Sequence, residues 1–97
     1  MKTYVTLAKW TNLGIEKIKD SPARLDGFKK LVDSFGGKVR GFYMVTGRFD
    51  MVLILEVPND AVMAKIALAT AARGSVTTET LQAFTEEEYR KIIAQLP

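Results

Sequence analysis

The stretch Tyr43-Met44-Val45-Thr46-Gly47-Arg48-Phe49-Asp50-Met51-Val52-Leu53-Ile54-Leu55 decides the fold of this chain. Its second half, Met-Val-Leu-Ile-Leu, is apolar on both sides of the strand alternation, so it reads as a strand buried on both faces. A lone carboxylate, Asp50, stands at the mouth of that run. An acid in such company has to be paired, hydrogen-bonded or shifted in pKa. Gly47-Arg48 suits a two-residue hairpin of the Gly-first type, which makes Lys38 to Thr46 a strand antiparallel to Phe49 to Val57.

Upstream, Thr3 to Trp10 is rich in β-branched and aromatic residues and forms a first strand, with Val5 and Leu7 on one face and Tyr4, Thr6, Ala8 and Trp10 on the other. After a connection from Thr11 to Asp20 around Gly14, Ser21-Pro22 opens a helix with Ser at the cap and Pro at the first helical position. Leu25, Phe28, Leu31, Val32 and Phe35 recur at three and four residues and give it an apolar stripe, and Gly36-Gly37 ends it. Downstream, Pro58-Asn59-Asp60 stops the third strand and caps a helix over Ala61 to Ala72. Val62, Met63, Ile66, Ala67, Ala69 and Thr70 form its packing face. Ser75 to Phe84 is a fourth strand despite Glu79, and Thr85-Glu86-Glu87-Glu88 is a capping box for a terminal helix. That helix is expected to dock through Tyr89, Ile92, Ile93 and Leu96.

The order β-α-β-β-α-β with an added C-terminal helix is the ferredoxin-like α+β arrangement, a four-stranded antiparallel sheet with two helices on one face. The opposite face takes Tyr4, Thr6, Ala8 and Trp10 with alternate residues of the third strand, too apolar for open water. Strands of about five residues cover roughly 300 Å² of flat area. An apolar patch of that size is unusual on a monomer, so a homodimer through the sheet face is expected, with a higher oligomer also open.

The 97 residues are 47% apolar, enough for one compact domain without disulfides or a structural metal. Cysteine and histidine are both absent. Their absence excludes thiolate nucleophiles, disulfides, iron–sulfur clusters, the His-activated serine and the commonest metal and haem ligands, and it points to a reducing cytoplasm. The net charge of +3 is scattered among eleven acids with no basic run, so nucleic acid is not an expected partner. The third strand also has aliphatics where an RNA-recognition motif stacks bases on aromatics. No apolar run approaches the roughly 20 residues of a membrane span. Glu86, Glu87 and Glu88 complement a helix dipole and point in different directions, so neither a metal nor another cofactor is expected.

Tyr4-Val-Thr-Leu-Ala-Lys-Trp-Thr11, Gly14-Ile15, Gly36-Gly37, Tyr43, Gly47-Arg-Phe-Asp50, Glu56-Val-Pro58 and Thr78-Glu-Thr-Leu81 are together similar to GYD-domain proteins along nearly the whole chain. The naming motif Gly-x-Tyr-Asp stands here as Gly47-Arg48-Phe49-Asp50, keeping the aromatic ring without its hydroxyl. The resemblance implies a ferredoxin-like, dimeric α+β barrel and brings no catalytic residues with it.

Asp50 has two readings, a structural acid that caps the hairpin or binds a backbone amide or a basic neighbour such as Arg40 or Arg48, and a functional acid facing a pocket. Lys9, Trp10 and Thr11 lie where strand one ends, and Tyr43 sits on the strand paired near Asp50. Trp10 and Tyr43 are either core packing or, with Lys9, Thr11 and Asp50, the lining of an apolar pocket with a few placed polar groups. Three function classes follow. The chain is a non-catalytic homodimeric module that binds a small organic ligand or assembles with partners; a cofactor-independent oxygenase or isomerase with Asp50 as base; or a structural assembly subunit.

Overall fold

The computed structural model describes all of residues 1–97. Four strands, β1 (Lys2–Trp10), β2 (Lys38–Met44), β3 (Met51–Val57) and β4 (Val76–Ala83), form one antiparallel sheet in the order β2-β3-β1-β4. The helices are α1 (Asn12–Glu16), α2 (Ser21–Ser34), α3 (Asp60–Ala72) and α4 (Glu86–Ala94). This is the ferredoxin-like α+β arrangement, with α2 and α3 packed on one face of the sheet. No helix is long and apolar enough to cross a membrane.

The core lies between the sheet and α2 and α3. Leu55, Val57, Val32 and Ile66 are fully buried there, and Leu25, Phe28 and Leu31 of α2, with Phe35 at its C-cap, pack against them. Each fully buried side chain among them contributes about 1.5–3 kcal/mol by leaving water. The α2 stripe and the Met63/Ile66 face of α3 are those that the helical spacing predicts.

The assignment of the sheet faces is a correction. Tyr4, Thr6 and Ala8 are only 5%, 4% and 3% exposed and lie under the helices, with Trp10 packed beside them. They do not form the open face. The alternation in β1 separates two sets of residues, but β3 is apolar on both sides and so cannot say which set the helices cover. The small Ala8 and Thr6 stand beneath the helices, whereas Val5 and Leu7 sit on the open side. There, cross-strand neighbours form two rows, Leu81-Val5-Ile54-Gly41 and Glu79-Leu7-Val52-Tyr43.

Three local expectations also change. β2 and β3 are joined by six residues, Val45 to Asp50, closed by a 2.8 Å bond from the Val45 N–H to the Asp50 carbonyl, rather than by a two-residue turn. Asp20, not Ser21, precedes α2, and the Ser21 hydroxyl instead accepts from Trp10 Nε1 at 3.3 Å. The connection before it contains α1 and a single 3-10 turn over Ile18–Asp20. Gly14 is required there, because a Cβ would stand 2.2 Å from the Ser75 carbonyl oxygen.

The C-terminal helix does not dock. Its capping box is formed, with Thr85 and Glu88 bonded reciprocally. Glu86 and Glu87 pair with Arg90 and Lys91 at i, i+4. Yet Tyr89, Ile92, Ile93 and Leu96 are between 44% and 61% exposed. The helix-facing side of the sheet is already filled by α2 and α3, so the short Phe84-Thr85 link carries α4 beyond the sheet, and the molecule measures 52 × 30 × 17 Å.

Candidate functional site

Strand one ends at a knot of polar contacts that accounts for several of the singled-out residues. The Trp10 N–H donates to Asp50 Oδ2 at 3.0 Å, the Asp50 N–H donates to the Ala8 carbonyl at 2.9 Å, and the Asp50 carbonyl closes the β2–β3 loop. Asp50 therefore acts here as a clamp that fastens the loop to the end of β1. Phe49 beside it lies with Arg48 and Lys9 5.8 and 6.0 Å from its ring centre, a cation–π arrangement on the loop surface. Thr11 starts α1 by accepting from the Gly14 N–H at 3.2 Å, while its hydroxyl donates to the Gly74 carbonyl and its N–H to that of Ser75. Lys9 is exposed, and Tyr43 is 62% exposed on the open sheet face. The structure thus gathers Trp10, Thr11 and Asp50 around one strand end and leaves Tyr43 on the other side of the sheet from the Trp10 ring.

A mostly apolar cavity lies elsewhere, between the sheet and the two helices, with a volume of about 100 Å³. Its floor is Thr6, Ala8 and Leu53, its walls are Leu25 and Phe28 of α2 with Phe42 of β2, and Trp10 closes one end. Asp50, Lys9, Thr11 and Tyr43 do not line it. Arg24 and Arg73 do, and no acid does. Arg24 donates to the carbonyls of Lys17 and Gly14 at 2.9 and 3.1 Å, and Arg73 reaches from the end of α3 toward Gly27 of α2. Sequence reasoning missed Thr6, Arg24 and Arg73. Thr6 carried the available signal, a hydroxyl between Tyr4 and Ala8 on the buried side of a strand; the arginines meet through tertiary packing alone.

One cluster of perturbed titration lies at the far end of β1. Burial pushes the Tyr4 phenol up to about 12, helped by its hydrogen bond to Asp60. The same bond, with Lys2, holds the Asp60 carboxyl below its usual range. This cluster ties β1 to the start of α3 and lies away from the cavity.

The GYD domain family matches residues 4–93. The chain belongs to the GYD domain family. It is also 36% identical over 84 residues, 86% of its own length and 88% of the relative's, to the glutamine synthetase and cystathionine beta-lyase binding protein of Thermus thermophilus. The family match runs from Tyr4 in β1 to Ile93 in α4 and so includes the Gly47-to-Asp50 loop that fastens to Trp10.

Proposed function

We propose that this GYD-domain chain is a non-catalytic adaptor, a homodimer joined through its open sheet faces that presents α4 to a partner protein. The observation that supports it is a pair of apolar surfaces that no element of the chain covers. The first is the sheet face centred on Val5, Leu7, Val52 and Ile54. Its strands of seven to nine residues span roughly 500 Å² of flat area. Charges of both signs, Glu56 and Glu79 with Lys9, Lys38 and Arg40, frame that centre, so the face suits a second copy of itself, as a two-fold interface requires.

The second surface is the α4 stripe. Tyr89, Ile92 and Ile93 stand at i, i+3 and i+4, the spacing with which an amphipathic helix enters an apolar groove, and Leu96 follows just past the C-cap. The Thermus relative is named for binding two enzymes, which makes glutamine synthetase and cystathionine beta-lyase the first partners to test. Light scattering is expected to give a dimer mass that Ile54→Lys reduces to a monomer, because an unpaired buried charge costs several kcal/mol. Removing α4 after Phe84 is expected to abolish partner binding while leaving the dimer intact. A wild-type monomer up to millimolar concentration would refute the dimer. Full partner binding by the truncated chain would refute the role of α4.

A further inference from the structure

The cavity beneath α2 and α3 carries three features that the adaptor role does not use. Its body is apolar, formed by Leu25, Phe28, Phe42 and Leu53. In its floor, Thr6 is 4% exposed and its hydroxyl has no hydrogen-bond partner, although a buried hydroxyl without one costs free energy and nearly all find one. On the helix side lie two guanidinium groups that no carboxylate neutralises: Arg24 is bonded only to carbonyl oxygens, and Arg73 has neither an ion pair nor a hydrogen bond. Arg73 is exposed, so its charge stands at the open side while Thr6 lies deep.

Those features fit one class of ligand. Uncompensated arginines select an anion, and the planar guanidinium fork matches a carboxylate. The apolar walls select a compact hydrocarbon body. The volume of about 100 Å³, somewhat below the ~150 Å³ of a cavity that holds benzene, limits the enclosed part of a ligand to about a single ring. The orphan Thr6 hydroxyl selects a hydrogen-bonding group at the end away from the charge. We infer that the cavity binds a small organic acid, with its carboxylate on Arg73 and Arg24, its apolar body between Phe28 and Leu53, and a terminal polar group on Thr6. A mostly apolar pocket with a few convergent polar groups is the usual form of a small-molecule site.

Trp10 is the chain's only tryptophan and forms the end wall, so its emission and indole N–H resonance report on occupancy. The probe is 4-hydroxyphenylacetate, titrated into the full chain alongside its neutral amide and phenylacetate, which lacks the distal hydroxyl. Saturable binding is expected for the probe, weakened about tenfold or more in the amide or by Arg73→Gln, since a charge-assisted bond is lost. Thr6→Val is expected to lower affinity for 4-hydroxyphenylacetate to that for phenylacetate, leaving phenylacetate itself unaffected. Arg73 is exposed, so its variant should fold, and an unchanged melting temperature verifies this. No saturable Trp10 response at millimolar concentration, equal binding of acid and amide, or an indifferent Arg73→Gln would each overturn the inference. The adaptor role could survive any of these results, because it rests on other surfaces.

Discussion

Replacing Asp50 distinguishes a clamp from a reactive acid. In the structure its Oδ2 receives the Trp10 N–H at 3.0 Å, while its backbone N–H and carbonyl bond to Ala8 and Val45 whatever side chain stands there. Asp50→Ala therefore removes one charge-assisted bond and leaves a half-buried amide without its partner. Such a bond contributes about 1.5–3 kcal/mol, and partial exposure places this one near 2 kcal/mol. For a chain of this size each kcal/mol moves Tm by roughly 4–8 °C, so the expected loss is about 8–16 °C. Asp50→Asn keeps a carbonyl oxygen in the same place and exchanges a charged acceptor for a neutral one, so it should cost less than about 1 kcal/mol. Thermal melts of the three proteins, followed by circular dichroism, test this ordering. An Asp50→Ala variant that melts within about 2 °C of wild type would show that the carboxylate is not holding the strand end, and the clamp assignment would fall.

Other outcomes follow from the same structure. Gly14→Ala sets a methyl group 2.2 Å from the Ser75 carbonyl oxygen, so it should destabilise by about 1–3 kcal/mol in denaturant melts, and a neutral result would mean that this loop yields freely. Gly27→Ala, whose Cβ would meet only Arg73 Nη1 at an ordinary 3.7 Å, should stabilise α2 by about 0.5–1 kcal/mol; a lower denaturation midpoint would contradict that. Truncation after Phe84 should leave Tm nearly unchanged, because α4 has no buried residue, whereas a fall of several degrees would show that it docks. The Tyr4 phenol, at about 12 in the fold against 10.0 otherwise, stays protonated where the unfolded chain ionises. Its contribution is whole below pH 10 and is lost as pH rises toward 12, and Tyr4→Phe should flatten that slope in alkaline denaturant titrations.

The sequence carried the fold because its signals are local and agree with one another. The α2 stripe, the Asn59 and Thr85 caps and the left-handed glycines at 36 and 74 each mark an element boundary through chemistry within a few residues. The sheet faces were not legible in the same way. Alternation divides β1 into two sets, and the choice between them depends on which set the helices can approach, a property of Phe28 and Ile66 as much as of Ala8. The two-residue hairpin failed for a related reason: Gly47 does adopt a positive φ of 131°, but Asp50 bonds backward to β1, and that long-range contact keeps the loop open to six residues. The apolar stripe of α4 was legible, whereas its lack of a cover within the chain was not.

The same distinction separates the clamp from the cavity. Asp50 stood out because a charge beside an apolar run is anomalous in one dimension, yet its anomaly is resolved by a single backbone amide. Thr6 was inconspicuous, since threonine is an ordinary strand residue, and became anomalous only when α2 and α3 sealed its hydroxyl from water with nothing to bond. The two are linked through Trp10, whose amide Asp50 holds and whose indole N–H reaches Ser21 of α2. A carboxylate outside the cavity thereby fixes the ring that forms its end wall. Loss of Asp50 can then weaken ligand binding without the acid ever touching the ligand, and an activity or affinity change in Asp50 variants identifies a contact only when stability is held constant.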